Sequence, residues 1–407
     1  MMKRRYKPAK RYKKRRRSLQ ASNAGPILAL FGTIMGVLAI IALVVYVVLP
    51  YTLPLVGVTY RAPLLPTPTP APTARPTATP IPLSTANLDA VQTEIVLSGY
   101  DDYHWFGDPY YYNGKIMFTA GKLTDGNVFM KKLISYDTAT KQGEDISYTL
   151  NNEHFMFPVF NDKWLVYLDA KATGGGYIMA CDQTSKGAKP FIVKEIYTGQ
   201  PEIMLDGNDI AWTERTGTRM DKLFVCDLTT LESTTLEMFN NSYYGQSKPS
   251  FSSGALVWAS TDSKSNDTNN ITSAINYIKL NDSVISSYSP GTYVHDPKFN
   301  GLYFAWLDGN HNPEASLYIA MGTKCKKIDS GVADFDMCKD FIAYGKDEAV
   351  WIYSFADQKT YRLTPERERT QFLNASNGVV MWMDVTSREK DIIKYSVISE
   401  RKAATDG

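Results

Sequence analysis

The residues best suited to chemistry in this chain are histidines that precede a recurring proline. Three of the four histidines lie two to five residues before such a proline, and these are His104, His154 and His295. Imidazoles that meet at one rim can hold a metal ion, although no metal-ligand spacing surrounds these three. We therefore expect ordinary polar loop histidines, with a metal site as the alternative.

Aromatic and acidic residues are dense in the same segments, above all from Tyr100 to Asp108. Amphipathic rings beside carboxylates are typical of surfaces that bind sugars or peptides. The alternative is that each ring packs between neighbouring sheets. The candidate ligand-binding residues are Tyr103, His104, Trp105, Asp108, Tyr243, Tyr244 and Tyr293.

Common motifs for catalysis are absent from the sequence. It contains no G-x-S-x-G, H-E-x-x-H, C-x-x-C or phosphate-binding G-x-x-x-x-G-K-[ST] pattern. The three glycines at 174–176 are better explained as a hairpin turn than as a phosphate-binding loop. We expect no cofactor, and a binding role in preference to catalysis.

The elements that must position these residues come from an internal repeat. Seven segments end in an aromatic residue, at intervals of 38 to 49 residues. The two positions before the aromatic residue are apolar in every copy, so both faces of each strand must be buried. Small antiparallel sheets stacked around an axis meet this requirement. The seven aromatic residues are Phe118, Tyr167, Trp212, Trp258, Trp306, Tyr344 and Trp382.

Each repeat also contains signals for further strands. An extended segment upstream of the aromatic strand is entered by a proline in five copies, and turn pairs such as Asn113-Gly114 follow it. A third and a fourth strand lie downstream, but the seventh copy lacks its fourth, while residues 93–97 form a strand without a blade of their own. The sequence therefore predicts an all-β, seven-bladed β-propeller of four-stranded antiparallel blades, closed by an N-terminal strand.

The repeat resembles that of TolB-like β-propeller proteins. Proline, an Asp/Asn-Gly turn and an apolar-apolar-aromatic strand recur, for example in residues 201–212 and 297–306. The likeness covers about residues 93–400 but lacks the usual Trp-Ser-Pro before the turn, and it implies a fold without implying an activity. Some propeller polysaccharide lyases similar to this family bind a metal through central histidines, which implies a metal-dependent lyase or hydrolase as the alternative function.

The repeat also bears on the four cysteines. Cys181 and Cys226 occupy the same position on the third strand of neighbouring blades, and Cys325 and Cys338 lie on different strands across a blade junction. Stacked sheets lie roughly 10 Å apart, which exceeds the distance of about 7 Å that a disulfide can span. We expect free, mostly buried thiols.

Charge is distributed unevenly along the chain. Of the 44 Lys and Arg residues, 13 precede Asp89, and none of the 42 Asp and Glu residues does. From residue 89 onward, 31 basic residues therefore face 42 acidic ones, a net charge of −11. Because phosphate binding needs a basic surface, we expect no nucleic-acid partner for the large domain.

The N-terminal part predicts membrane attachment. Residues 1–26 form a basic tail, 27–49 an uncharged apolar segment and 50–87 a Pro/Thr-rich stalk, ahead of the propeller at 88–401 and a tail at 402–407. The apolar segment is long enough to cross a bilayer as an uncleaved signal anchor, with a cleaved signal peptide as the alternative. The positive-inside rule keeps the basic tail cytoplasmic, where it can also bind anionic lipids, and places the propeller outside the cell.

These features predict a single-pass membrane protein whose extracellular propeller binds or scaffolds a protein or glycan at the bacterial cell surface. A signalling sensor is disfavoured because the cytoplasmic part is too short for an output domain. The lyase or hydrolase with a metal at the propeller channel remains the alternative.

Overall fold

The computed structural model describes residues 88–400, with gaps at 98, 101, 218, 242–246, 262–272, 281, 283, 310–314, 323 and 387–390. All of these residues belong to the second of two units into which the chain divides, Ala78–Gly407. The predicted basic tail, apolar segment, stalk and C-terminal tail lie outside the described residues. Within the described ranges, no helix has the length and hydropathy that a membrane span requires.

The described residues form seven four-stranded antiparallel sheets, which confirms the seven-bladed β-propeller. Blade 1 contains β2 (Trp105–Tyr112), β3 (Lys115–Thr124), β4 (Asn127–Asp137) and β5 (Gln142–Asp145). Blade 2 contains β6 (His154–Phe160), β7 (Trp164–Ala170), β8 (Gly176–Asp182) and β9 (Phe191–Ile196). Blade 3 contains β10 (Met204–Asp206), β11 (Asp209–Arg215), β12 (Met220–Asp227) and β13 (Ser233–Asn240).

The next three blades follow the same order from the innermost strand outward. Blade 4 contains β14 (Ser250–Ser252), β15 (Ala255–Thr261), β16 (Ser273–Lys279) and β17 (Ser286–Gly291). Blade 5 contains β18 (Val294–Phe299), β19 (Phe304–Asp308), β20 (Ser316–Met321) and β21 (Lys324–Ser330). Blade 6 contains β22 (Asp334–Met337), β23 (Phe341–Lys346), β24 (Ala349–Ser354) and β25 (Thr360–Arg362).

Blade 7 is assembled from both ends of the propeller. Its inner strands are β26 (Thr370–Ser376), β27 (Val379–Asp384) and β28 (Ile392–Glu400), and its fourth strand is β1 (Leu88–Glu94). Strands β1 and β28 pair antiparallel along the whole of β1, from Leu88 opposite Glu400 to Glu94 opposite Lys394. The closure is confirmed, but the closing strand begins five residues earlier than the predicted 93–97, because pairing with β28 extends beyond the apolar run.

The core lies between neighbouring blades. All seven repeat aromatic residues are fully buried, as their position on the second strand of each blade requires. One apolar cluster joins Phe118 of blade 1 to Met381 of blade 7, and another joins Val166 of blade 2 to Trp212 of blade 3. Both faces of each sheet are thus covered, which confirms the prediction drawn from three consecutive apolar residues.

The cysteines are free thiols, as expected. Cys181, Cys226 and Cys338 are buried, whereas Cys325 on the outermost strand of blade 5 is exposed. Burial raises the pKa of the Cys226 thiol to about 11, which leaves it protonated at neutral pH.

Candidate central-channel site

A cavity of about 570 Å³ lies on the propeller axis. Every blade contributes to the wall of this cavity. It does so with residues of its innermost strand or of the segment that leads directly into that strand. Within the described residues, this is where side chains from the largest number of blades meet. The central channel is therefore the place to look for a ligand site.

Strand register puts one residue of each blade at the same height in this channel. In each blade, this residue lies on the innermost strand. It pairs with the second-strand residue that comes directly before the repeat aromatic residue, as Tyr110 pairs with Met117 before Phe118. All seven such residues line the cavity, and we call them the channel ring: Tyr110, Val159, Met204, Ser250, Lys298, Asp336 and Asn374.

A second set of side chains lies two residues earlier, toward the side where each blade connects to the next. Asp108, Glu202 and Lys248 of this set line the same cavity, and Asp334 Oδ2 lies 3.5 Å from Lys248 Nζ, so the set surrounds the mouth of the channel. Its charged members are Asp108, Glu202, Lys248, Asp296 and Asp334, and we call them the mouth group. The side on which it lies is the connection face, and the opposite side, with the Asn113-Gly114 turn, is the turn face.

Lysines at the two heights are paired differently. In the channel ring, Lys298 Nζ lies 2.6 Å from Asp336 Oδ1. In the mouth group, Lys248 Nζ lies 3.5 Å from both Glu202 Oε2 and Asp334 Oδ2, which is long for a charge-assisted hydrogen bond. The Glu202 carboxylate is the main reason that the pKa of Lys248 is raised, and burial only partly opposes it. Lys248 is thus shared loosely between two carboxylates.

Asp108 lies in an environment that disfavours its negative charge. It precedes Pro109 in a β-bulge of β2 and adopts φ of +50°, a conformation that Asp tolerates better than most residues. Its Oδ2 accepts a hydrogen bond of 3.0 Å from the backbone N–H of Phe157 in blade 2. The pKa of Asp108 is raised to about 6, mainly by burial and in part by the nearby Glu202 charge, whereas the Phe157 N–H and Lys248 act to lower it.

Carboxylates near the channel also hold neighbouring blades together. Asp296 Oδ1 accepts a 2.6 Å hydrogen bond from the backbone N–H of Lys248 in the preceding blade. Asp336 Oδ2 accepts one of 3.0 Å from Ala375 in the next blade. These bonds fix the inner strands relative to one another, so the mouth group is held by rigid elements.

The channel ring also carries polar atoms that the protein does not satisfy. Ser250 Oγ and Asn374 Oδ1 are buried and have no hydrogen-bond partner among the described residues. Both atoms belong to cavity-lining residues. Such groups are expected where water or a ligand supplies the missing bonds.

A close backbone contact at a glycine positions the segment that leads to Glu202 in blade 3. The backbone N–H of Gly175, in the β7–β8 hairpin, donates a 2.6 Å hydrogen bond to Gly199 O in the segment that leads to Glu202. Gly175 has φ of +77°, and a Cβ there would lie 2.6 Å from Ile196 O. The three glycines therefore do form the expected hairpin, and Gly175 lets the connection pack closely against it.

The predicted aromatic residues lie in several environments. Tyr103 packs with Tyr100, at a ring distance of 5.7 Å, against the apolar cluster between blades 7 and 1. Trp105 begins β2 and contacts His104, with ring centroids 5.8 Å apart. The backbone N–H of Tyr293 donates to Asp308 Oδ1 at 2.9 Å. Tyr243 and Tyr244 lie outside the described residues. Of the predicted set, Asp108 lines the cavity.

Each of the three histidines has its own surroundings. His104 Nδ1 is buried without a hydrogen-bond partner among the described residues. His154 stacks on Phe129 at 5.5 Å, and its Nδ1 accepts the Met130 N–H at 3.3 Å. His295 is fully buried, with Nδ1 2.9 Å from Asp296 Oδ2. His154 and His295 belong to inner strands and not to the connections where the sequence places them, because β6 and β18 begin before their prolines.

Within the part of the chain that the structure describes, no group of three His, Cys, Asp or Glu side chains is arranged to hold a metal ion.

Several residues of the mouth and of the channel ring were missed by sequence reasoning. Glu202, Lys248 and Lys298 are each adjacent to a repeat proline, at Pro201, Pro249 and Pro297. The prolines indicate strand starts, but nothing in the sequence alone assigns the charged residues beside them to the channel. Their position next to the same proline in successive repeats is the signal that could have found them.

Comparison with known proteins shows only the fold. No protein-family model matches the chain, and no curated protein matches it. Among solved structures, the β-propeller domain of the Trilobed protease from Pyrococcus furiosus has a TM-score of 0.55 and 11% identity, over 72% of this chain and 93% of that one. TolB from Acinetobacter baumannii has a TM-score of 0.38 and 13% identity, over 72% and 79% of the two chains. The Pyrococcus horikoshii acylaminoacyl peptidase has a TM-score of 0.36 and 11% identity, over 70% and 44%.

Proposed function

We propose that this protein is a membrane-anchored binding module, whose propeller lies outside the cytoplasm and binds a protein or glycan ligand at the connection face. The observation that carries the proposal is the cavity of about 570 Å³ with a charged mouth on the propeller axis. A rigid, recessed surface with a few convergent polar groups is what a ligand site requires.

The mouth group supports this proposal because three of its members are accessible. The side chains of Glu202, Lys248 and Asp334 are 49%, 47% and 40% exposed. A ligand can therefore reach them without opening the blades. The sequence supports the placement, since the apolar segment 27–49 and the basic residues before it predict an anchor with the propeller on the far side of the membrane.

Site-specific photo-crosslinking in intact cells tests the binding role. A photoreactive amino acid at Gln200, on the connection face, should give a discrete adduct with one partner. The same group at Asp162 is the matched control, because Asp162 lies on the turn face and accepts a 2.9 Å hydrogen bond from Tyr112. Adducts of equal yield from both positions, or none from Gln200, would count against a ligand site at the connection face.

A further inference from the structure

The mouth of the channel has an excess of negative charge on one side. Four carboxylates lie at this height, on Asp108, Glu202, Asp296 and Asp334, and Lys248 bridges two of them. Lys298, one step further into the channel, is paired with Asp336, and its charge also acts on Glu202. Among the described residues, Asp108 makes no ion pair; its hydrogen-bond partner is the Phe157 N–H. The mouth therefore has net attraction for a cation, and an anion would meet a lysine that is already engaged.

An apolar wall separates two of these carboxylates. Asp108 belongs to blade 1 and Glu202 to blade 3, and blade 2 between them contributes Phe157, Pro158 and Val159 to the cavity lining. Met204 continues this wall at the height of the channel ring. A ligand that enters between the two carboxylates thus meets apolar surface beside negative charge.

A lysine side chain combines both properties. Its ammonium group has three donors on a compact charge, and its four-carbon stem packs along apolar surface.

We propose that the sector of the mouth between Asp108 and Glu202 binds the primary ammonium group of a lysine side chain in a partner protein. This inference rests on the proposed binding function and names the ligand chemistry of the same site. Asp108 and Glu202 bind the ammonium, and Phe157 and Pro158, which also line the mouth, contact the stem.

The site should respond to pH through Asp108. The charged groups that face it across the mouth are Glu202 and Lys248. Since burial raises the pKa of Asp108 to about 6, its negative charge is lost as the pH falls through 6. Binding of an ammonium group should therefore weaken between pH 7.5 and pH 5 by up to about tenfold.

Titration of the full chain in detergent with the peptide acetyl-(Gly-Lys)₃-amide tests this inference. We expect saturable binding that falls at least tenfold when each lysine carries an Nε-acetyl group, which keeps the stem and removes the charge. Asp108→Asn and Glu202→Gln should each weaken binding at least fivefold, and Asp108→Asn should flatten the pH dependence above pH 5. Asp162→Asn, with the same loss of charge on the turn face, should leave binding unchanged.

Other outcomes would overturn the inference. Equal binding of the acetylated peptide, tighter binding of the arginine analogue, or binding of glucosamine oligomers in place of the lysine peptide would each exclude lysine as the ligand. The crosslinking test at Gln200 uses no lysine probe, so a partner found there would preserve the binding function even if the ammonium proposal failed.

Discussion

At the scale of single residues, Asp108 is in an unfavourable place for a carboxylate. An Asn could adopt the same positive φ and could accept the same hydrogen bond from the Phe157 N–H. It would do so without a charge to desolvate. A carboxylate at this position therefore costs stability that an amide would not cost, which is typical of residues kept for binding.

Asp108→Asn should consequently stabilise the folded protein at neutral pH. The folded pKa of Asp108, about 6, lies above its ordinary value of 3.8, so the folded state binds the proton more tightly. Stability from this group is full below about pH 4 and is lost as the pH rises through 6. We expect Asn to raise the free energy of unfolding by about 2 kcal/mol at pH 7 and by much less at pH 4.

Urea unfolding at the two pH values measures this difference. Asp162→Asn, at an exposed residue of the turn face, serves as the control and should show no comparable pH-dependent gain. A variant Asp108→Asn that was less stable than the parent at pH 7 would mean that the carboxylate contributes more to folding than desolvation costs.

At the scale of elements, strand β1 determines whether the ring of blades is closed. It supplies the outermost strand of blade 7, and the Ser396 hydroxyl donates a 2.9 Å hydrogen bond to Val91 O. The Gln92 amide donates one of 2.7 Å to Leu363 O in the segment between blades 6 and 7. Without β1, the backbone of β28 would become an open edge beside the partly exposed Val397.

Deletion of Leu88–Glu94 should therefore destabilise the propeller and promote association. The loss of one strand ladder and of its packing should lower the free energy of unfolding by several kcal/mol, since blade 7 also covers blades 1 and 6. Deletion of residues 401–407 removes the same number of residues and is the control. Urea unfolding measures the stability of the two variants, and light scattering measures their association. Equal stability of the two variants would show that closure by β1 is dispensable.

The sequence predicts the elements better than the site, for a physical reason. Burial on both faces forces three consecutive apolar residues onto each second strand, so the repeat can be read directly around Trp212 or Trp306. The heights of inner-strand side chains depend on β-bulges, as between Gly107 and Tyr110, and these leave no apolar pattern. Asp108 can be identified as a candidate from the sequence because it lies in the segment rich in aromatic and acidic residues. Lys298 and Asp336 can be assigned to the channel only once the structure places the seven inner strands around one axis.

At the scale of the whole molecule, the proposed position of the propeller outside the cytoplasm can be tested chemically. The chain contains a chemical reporter for it. Of its four cysteines, only Cys325 is exposed, and the other three are buried in the propeller. Burial raises the pKa of Cys338 to about 12 and, to a smaller extent, that of Cys325. Reagents for thiols should therefore modify Cys325 alone, and faster at pH 8 than at pH 7.

A membrane-impermeant maleimide should label the native protein in intact cells if the propeller is outside, and Cys325→Ser should abolish the labelling. In that background, Ser18→Cys places a thiol beside the basic cluster, which the positive-inside rule predicts to be cytoplasmic. This introduced thiol should react only after the cells are permeabilised. The opposite pattern, with the Ser18→Cys variant labelled in intact cells and Cys325 of the native protein protected, would reverse the topology. The channel mouth would then lie in the cytoplasm, where no extracellular ligand could reach Asp108 and Glu202.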